Sequence, residues 1–326
     1  MNICIFGAGA VGSHVAARLA AAKTDTVSVV ARGAHLKAIR ERGITLRSND
    51  APEITSRPGV ATDDPSTLPP QDLLLVTLKA CALPGAADTL AQLLAPEGCA
   101  VFLNNGIPWW WPYGLPGDRG PLPLLDPEGA LWTRLRQRAL GCVVNSPNEI
   151  VEPGVVVHSG RCRFTLGEPD GSMSERLVRA IGVFNRSGME CAATADLRRE
   201  IWGKLVLNAS GNTLSALTRL SPIELGVDPE LRRLMASLMR ETLEVAAALG
   251  WDLRAEIDVE QLSARKDRKP GPRLSMLQDV LLGRPLEVEA ILGQTQAFAR
   301  EAGVAVPTIA VTLPLLRGLD RSLRPG

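Results

Sequence analysis

Residues 2–32 read NICIFGAGAVGSHVAARLAAAKTDTVSVVAR, and this stretch decides the fold. Asn2 to Phe6 is a short apolar run with the β-branched character of a buried strand. Gly7, Ala8, Gly9, Ala10, Val11 and Gly12 follow it as G-x-G-x-x-G. Ser13 to Ala22 is built of strong helix formers, and Val27 to Ala31 is a second apolar strand. Strand, glycine turn, helix and strand in that order begin a dinucleotide-binding unit. The first glycine permits the tight turn, the second lets backbone approach a pyrophosphate, and the third lets helix pack on strand. Free amides at the helix start then face the phosphates. Arg32 lies twenty residues beyond Gly12, where an acid would hold the ribose 2′-hydroxyl of NAD. A guanidinium there pairs with a 2′-phosphate instead, and His35 and Lys37 add positive potential nearby. The expected cofactor is therefore NADP(H). The plain alternative is a solvated arginine at a strand end.

The bulk numbers narrow the rest. A chain of 326 residues suits two domains. A net charge of +1 gives no reason to expect a nucleic-acid partner. No apolar run approaches the ~18–20 residues of a membrane span. The N-terminus opens directly on the first strand with no signal-peptide pattern, so the expected location is cytoplasmic. Cys4, Cys81, Cys99, Cys142, Cys162 and Cys191 are scattered through mostly apolar runs and read as small reduced thiols. His14, His35 and His158 are too dispersed in sequence to suggest a metal site, so none is expected.

Further strands are expected at Ile44–Leu46 and Glu53–Ser56, both on the same sheet, and at Asp72–Leu78, Cys99–Leu103 and Leu140–Val144. Their continuous apolar character is that of a parallel sheet covered on both faces. Lys79 stands just past one strand, and Asn104, Asn105 and Gly106 just past the next. Ligands of open α/β sheets bind outside that carboxyl edge, which makes Lys79 and Asn105 candidates; an ordinary surface lysine and a common Asn-Gly turn are the alternatives. Residues 107–137 (IPWWWPYGLPGDRGPLPLLDPEGALWTRLRQ) hold four of the six Trp and the only Tyr. Such a Pro-rich loop either shapes a pocket or staples itself to the surface or to another subunit. Val155–Val157 and Arg163–Leu166 look like an antiparallel pair. Met173–Asn185 reads as an amphipathic helix and Met189–Ala192 as a last short strand. Beyond Ala195 the texture is helical, with breaks at Ser221-Pro222, Asp228-Pro229, Gly250, Lys269–Pro272 and Gly283–Pro285. The expected division is an N-terminal doubly wound domain over 1–195 and an all-α domain over 196–326.

In the second domain, residues 201–217 (IWGKLVLNASGNTLSAL) are mostly apolar, yet Lys204, Asn208 and Asn212 recur every four residues. On an α-helix they fall at about 0°, 40° and 80°, one polar stripe on a buried helix. A polar ligand or an internal hydrogen-bond network must satisfy it. Partial desolvation would lower the lysine pKa from ~10.4 and fit it to donate a proton. Ser275 followed by Gln278 fits a capping box, and Glu287, two residues after Pro285, is expected in the first turn of a helix.

Taken together, GAGAVG, DLLLVTLKA, the Asn-Asn-Gly turn, KLVLNASGN and SMLQDVLLGRPLEVEAILG resemble the ketopantoate reductase (2-dehydropantoate 2-reductase) family over almost the whole length. The resemblance implies a Rossmann domain carrying NADPH and a helical domain of the 6-phosphogluconate dehydrogenase C-terminal type. It implies that Lys204 protonates the carbonyl oxygen of a small 2-keto acid as hydride arrives. Asn208, Asn212 and Ser275 would hold the substrate, Asn105 would touch both ligands, and Lys79 and Glu287 would lie on the cofactor side. Arg32 matches the family's 2′-phosphate residue. The chain departs from the family where Ile223 and Glu224 follow Pro222 in place of an Asn, and in its longer Trp-rich loop. Two rival readings stay open: a paralogous reductase of a more apolar 2-keto acid, and a non-catalytic NADP(H)-binding sensor. A homodimer is compatible with the sequence.

Overall fold

β1 (Asn2–Phe6) is buried from Ile3 onward, and a strand apolar on both faces takes the centre of a sheet. In the computed structural model, which describes residues 1–49, 51–117, 119–264 and 273–324, it does so. β2 (Thr26–Val30), β3 (Ile44–Ser48), β4 (Ile54–Ser56), β5 (Val60–Thr62), β6 (Gln71–Val76) and β7 (Leu94–Phe102) follow along the chain. After them come β8 (Ala139–Asn145), β9 (Asn148–Glu152), β10 (Val155–His158), β11 (Arg163–Gly167) and β12 (Glu190–Ala193). The main sheet has the order β12-β11-β8-β7-β6-β1-β2-β5. β5, β2, β1, β6, β7 and β8 are mutually parallel, while β11 runs antiparallel to β8. This is the doubly wound Rossmann order, and the winding reverses between β1 and β6.

Two strand expectations are corrected. Ile44–Leu46 and Glu53–Ser56 do not join the main sheet; as β3 and β4 they belong to a second sheet of order β4-β3-β10-β9. Val155–Val157 and Arg163–Leu166 do not pair with each other. β10 pairs with β9 and β3, and β11 pairs with β8 and β12. The cause lies in the first helix, Ala10–Ala22, which buries Gly12 through Ala17 and Leu19. A helix buried nearly all round needs cover on the side facing away from the main sheet, and the second sheet supplies it. That folding also gathers histidines expected to be dispersed. The rings of His14 and His158 meet edge to face at 4.8 Å, and Cys162 joins them from 148 positions beyond His14. The cysteines are mostly buried, as expected, but Cys81 is exposed and Cys162 half-buried. Burial pushes the Cys4 and Cys191 thiols up to about 12 and that of Cys99 up to about 11.

The Trp-rich segment is a staple. Trp109, Trp110 and Trp111 are at most 3% exposed. Trp109 stands edge-on to Phe102 at 5.2 Å, and Trp110 lies against Gly141 of β8, where an added Cβ would meet its Cζ2 at 2.2 Å. Three consecutive indoles carry about 600 Å² of side-chain surface, and all three are buried here.

The chain divides into two compact units. The first comprises Met1–Asn104 and Trp109–Leu197. The second comprises Arg198–Gly326 and, detached in sequence, Asn105–Pro108. Among the described residues the second unit is all-α. The helix Leu197–Leu207 opens into a wide π turn over Asn208–Asn212 and resumes at Thr213–Thr218. The helices Pro229–Ala248 and Pro307–Ser322 are the two longest that follow, and Asp228 caps the former by accepting from the Glu230 and Leu231 amides. No helix of the described residues is long and apolar enough to cross a membrane. The break expected at Lys269–Pro272 lies outside the described residues.

Candidate active site

In the first unit the glycine turn follows β1 at the point where the winding reverses. Gly7 has φ +109°, which L side chains rarely adopt. A Cβ on Gly12 would lie 2.0 Å from the Gly7 carbonyl oxygen and 2.5 Å from Thr77 Oγ1, so the third glycine is required by packing. Gly9 is different: a Cβ there would meet nothing within 4 Å, and its φ of −70° and ψ of −170° suit any residue. The protein leaves that space open directly before the first helix, which is what a pyrophosphate in contact with the backbone requires. Gly9→Ala should therefore keep the melting temperature of the parent while weakening dinucleotide binding at least about tenfold. Isothermal titration alongside thermal melting checks this, and unchanged affinity would remove Gly9 from the cradle.

The turn is held from behind by a directed hydrogen-bond chain. Gly154 N donates to His35 Nδ1 at 3.1 Å, His35 Nε2 meets Ser13 Oγ at 2.9 Å, and Ser13 Oγ donates to the Ala8 carbonyl at 3.1 Å. A backbone N–H can only donate, so Nδ1 accepts and Nε2 carries the proton. The ring is neutral in this arrangement and holds the fold, which corrects the expectation that His35 adds positive potential. Lys37 pairs with Glu41 at 3.9 Å and Arg40 with Asp63 at 3.3 Å. Arg32 is exposed and forms no ion pair among the described residues, so its guanidinium is available to an anion. Lys79, half-buried, precedes the short 3₁₀ turn Ala80–Ala82. Thr77 also stands here, its hydroxyl donating to the Gly7 carbonyl. Sequence reading passed over Thr77, and only its position one residue after β6 could have marked it.

In the second unit Lys204 Nζ donates to Asn105 Oδ1 at 2.8 Å, and Asn105 Nδ2 donates to Glu287 Oε2 at 3.1 Å. The ammonium is thus aimed by a carboxamide whose orientation the carboxylate fixes. Asn105 reaches this position because Gly106 takes φ +79°, and a Cβ on it would lie 2.4 Å from the Ala290 carbonyl oxygen. That same carbonyl accepts from Ile107 N at 2.7 Å. Glu287 is not inside the first helical turn as expected; it immediately precedes the helix, and its carbonyl accepts from Ile291 N.

The stripe of Lys204, Asn208 and Asn212 is split by the π turn. Asn212 Oδ1 accepts weakly from Met276 N at 3.5 Å, so its Nδ2 faces Asn208 and donates to Asn208 Oδ1 at 2.8 Å. Asn208 is then left presenting Nδ2, which is buried and has no hydrogen-bond partner among the described residues. An unsatisfied buried amide donor costs about 1–3 kcal/mol, and π turns concentrate at functional sites. An incoming carboxylate or carbonyl oxygen would satisfy it. Ser275 is exposed at the start of the helix Ser275–Leu281. The expected capping box does not form: Leu274 is the capping residue, and Gln278 Nε2 donates to the Arg273 carbonyl at 2.8 Å. The structure therefore brings Lys204, Asn105 and Glu287 into one chain and Asn208 and Asn212 into another, one helical turn on. Gly7–Gly12, Arg32 and Lys79 belong to the first unit.

Comparison with known proteins bears on the whole chain. Residues 3–171 match the ketopantoate reductase PanE/ApbA family, and residues 196–320 match the C-terminal region of the same family. A 2-dehydropantoate 2-reductase of Mesorhizobium japonicum is 37% identical over 98% of each chain. A solved protein of Ralstonia solanacearum is 34% identical with a TM-score of 0.89, covering 99% of this chain and 98% of its own. The 2-dehydropantoate 2-reductase structure of Methylococcus capsulatus is 28% identical with a TM-score of 0.80, covering 100% of this chain and 99% of its own. With its Rossmann unit, its all-α unit and both halves of the family pattern in place, the chain belongs to the ketopantoate reductase (PanE/ApbA) family of oxidoreductases.

Proposed function

We propose that this protein is an NADPH-dependent reductase of a 2-keto acid, with 2-dehydropantoate as substrate and pantoate as product, a step of pantothenate biosynthesis. The observation that carries the reading is the pairing of an aimed ammonium with an unsatisfied amide one helical turn away. Lys204 is directed by Asn105 and Glu287, and Asn208 Nδ2 is buried without a partner among the described residues. Together they offer a proton donor and a hydrogen-bond donor to the two kinds of oxygen a 2-keto acid carries. When bound, the reduced nicotinamide supplies hydride to C2. Lys204 gives its proton to the carbonyl oxygen, which becomes the hydroxyl, and the amine regains a proton from solvent. Asn208 holds an oxygen of the substrate and Asn212 holds Asn208. All of these side chains come from one chain, so the reading requires no second subunit.

Arg32 supports the phosphorylated cofactor. Its exposed guanidinium, without an ion pair among the described residues, follows β2 at the ribose position, and a charge-assisted contact is worth about 1.5–3 kcal/mol, or about 10- to 150-fold. Arg32→Asp should erase or reverse the preference for NADPH over NADH; equal binding of both cofactors by the unaltered protein would defeat the assignment.

Ile223 favours a second reading. It follows Pro222 where the family pattern carries a polar Asn, and it removes one polar contact to the substrate. A more apolar 2-keto acid would suit that change. NADPH absorbance followed with branched, linear and aromatic 2-keto acids decides between the two, and no oxidation with any of them would leave a cofactor-binding protein without this activity.

A further inference from the structure

The cluster formed by the first helix and the second sheet has no part in the reaction above. His14 is fully buried in the helix Ala10–Ala22, His158 is 2% exposed at the end of β10, and Cys162 is half-buried just before β11. One ligand atom from each lies within 4.8 Å of the other two. We propose that His14, His158 and Cys162 form a site for a thiophilic divalent cation of the zinc type, which clips the first helix to the second sheet.

Three observations support the assignment. The first is spacing. Tetrahedral zinc takes sulfur at ~2.3 Å and imidazole nitrogen at ~2.0–2.1 Å, which puts the two ligand atoms about 3.6 Å apart; His14 Nε2 and Cys162 Sγ are separated by 3.7 Å. The second is tautomer. Asn148 Nδ2 donates to the Ser146 carbonyl at 2.8 Å and contacts Ser146 Oγ at 3.0 Å, so its Oδ1 is the atom facing His14 Nδ1 at 2.7 Å. A carboxamide oxygen can only accept, hence Nδ1 carries the proton and the Nε2 lone pair faces the thiol. Metal-bound histidines are held in this way through their second nitrogen. The third is the environment of the sulfur and of the second ring. Ser146 Oγ donates to Cys162 Sγ at 3.5 Å, and His158 Nδ1 lies 3.3 Å from Ser48 Oγ. Two imidazoles and a thiolate are a donor set suited to zinc. Cys162 is half-buried, so the cluster is less enclosed at the thiol than at the two rings.

The full-length protein, stripped with a chelator and dialysed, is titrated with Co²⁺ and then with Zn²⁺. We expect one equivalent of Co²⁺ to raise a thiolate-to-cobalt charge-transfer band that Zn²⁺ then removes. Cys162→Ser should abolish the band, His158→Gln should weaken binding at least about tenfold, and Asn148→Ala should weaken it about 10–100-fold. Zn²⁺ should slow alkylation of Cys162 and leave that of the exposed Cys81 unchanged. Melting curves identify any variant that fails to fold, and the alkylation result on unaltered protein stands without variants. Absence of the thiolate band, or Cys162 alkylation unaffected by Zn²⁺, overturns the proposal; rapid alkylation in both conditions would show instead a thiol activated by His14.

Discussion

Replacing Lys204 by alanine is expected to lower kcat by about 10²–10⁴-fold while leaving NADPH affinity within about twofold of the parent. The split follows from the side chain's surroundings. Lys204 Nζ contacts Asn105, and Asn105 contacts Glu287, so the substitution removes a proton donor and leaves the glycine turn and Arg32 untouched. The amine is half-buried, so its loss costs little stability and melting should be close to normal. Asn105→Ala should give a smaller loss in kcat, because the ammonium then keeps its charge but loses its aim. Turnover by Lys204→Ala at the parental rate would assign the proton to another group or to water.

Trp110→Ala should destabilise the protein by about 3–5 kcal/mol, the usual cost of truncating a large buried aromatic side chain. Trp110 is 1% exposed and covers Gly141 at a distance that admits no side chain there. Chemical denaturation followed in the first unit would register the loss, and kinetics on the surviving folded fraction should show unchanged selectivity among keto acids. Altered selectivity with undiminished stability would return the tryptophans to a role in shaping the pocket.

The glycine turn and the central strands were legible because each obeys a local rule. A single short run from β1 to Arg32 contains its own strand, turn, helix and strand, so no distant contact was needed to read it. The second sheet was illegible for the opposite reason. β3 and β10 are more than a hundred residues apart, and short strands carry no mark of which sheet will accept them. The same distance hid the gathering of His14, His158 and Cys162. In the second unit the residue types were visible while their geometry was not. Four-residue spacing on an α-helix predicted one stripe, and the π turn divided it into an aimed lysine and a pair of carboxamides. Ser275 shows how a matching pattern can mislead: S-x-x-Q is present, but the helix begins one residue earlier than the pattern assumes.

The segment Asn105–Pro108 belongs to the second unit although its neighbours on both sides belong to the first. This has a consequence for the order of synthesis. Asn105 leaves the ribosome 182 residues ahead of Glu287. At ~5–20 residues per second that interval is about 9–36 s. Throughout it the Rossmann strands can pair and the glycine turn can close, while Gly106 has no Ala290 to rest on and Asn105 has no carboxylate to orient it. A nascent chain thus acquires the means to hold a dinucleotide well before it can aim its lysine. Cutting the gene near residue 195 would preserve that early state permanently, with four residues of the missing unit still attached.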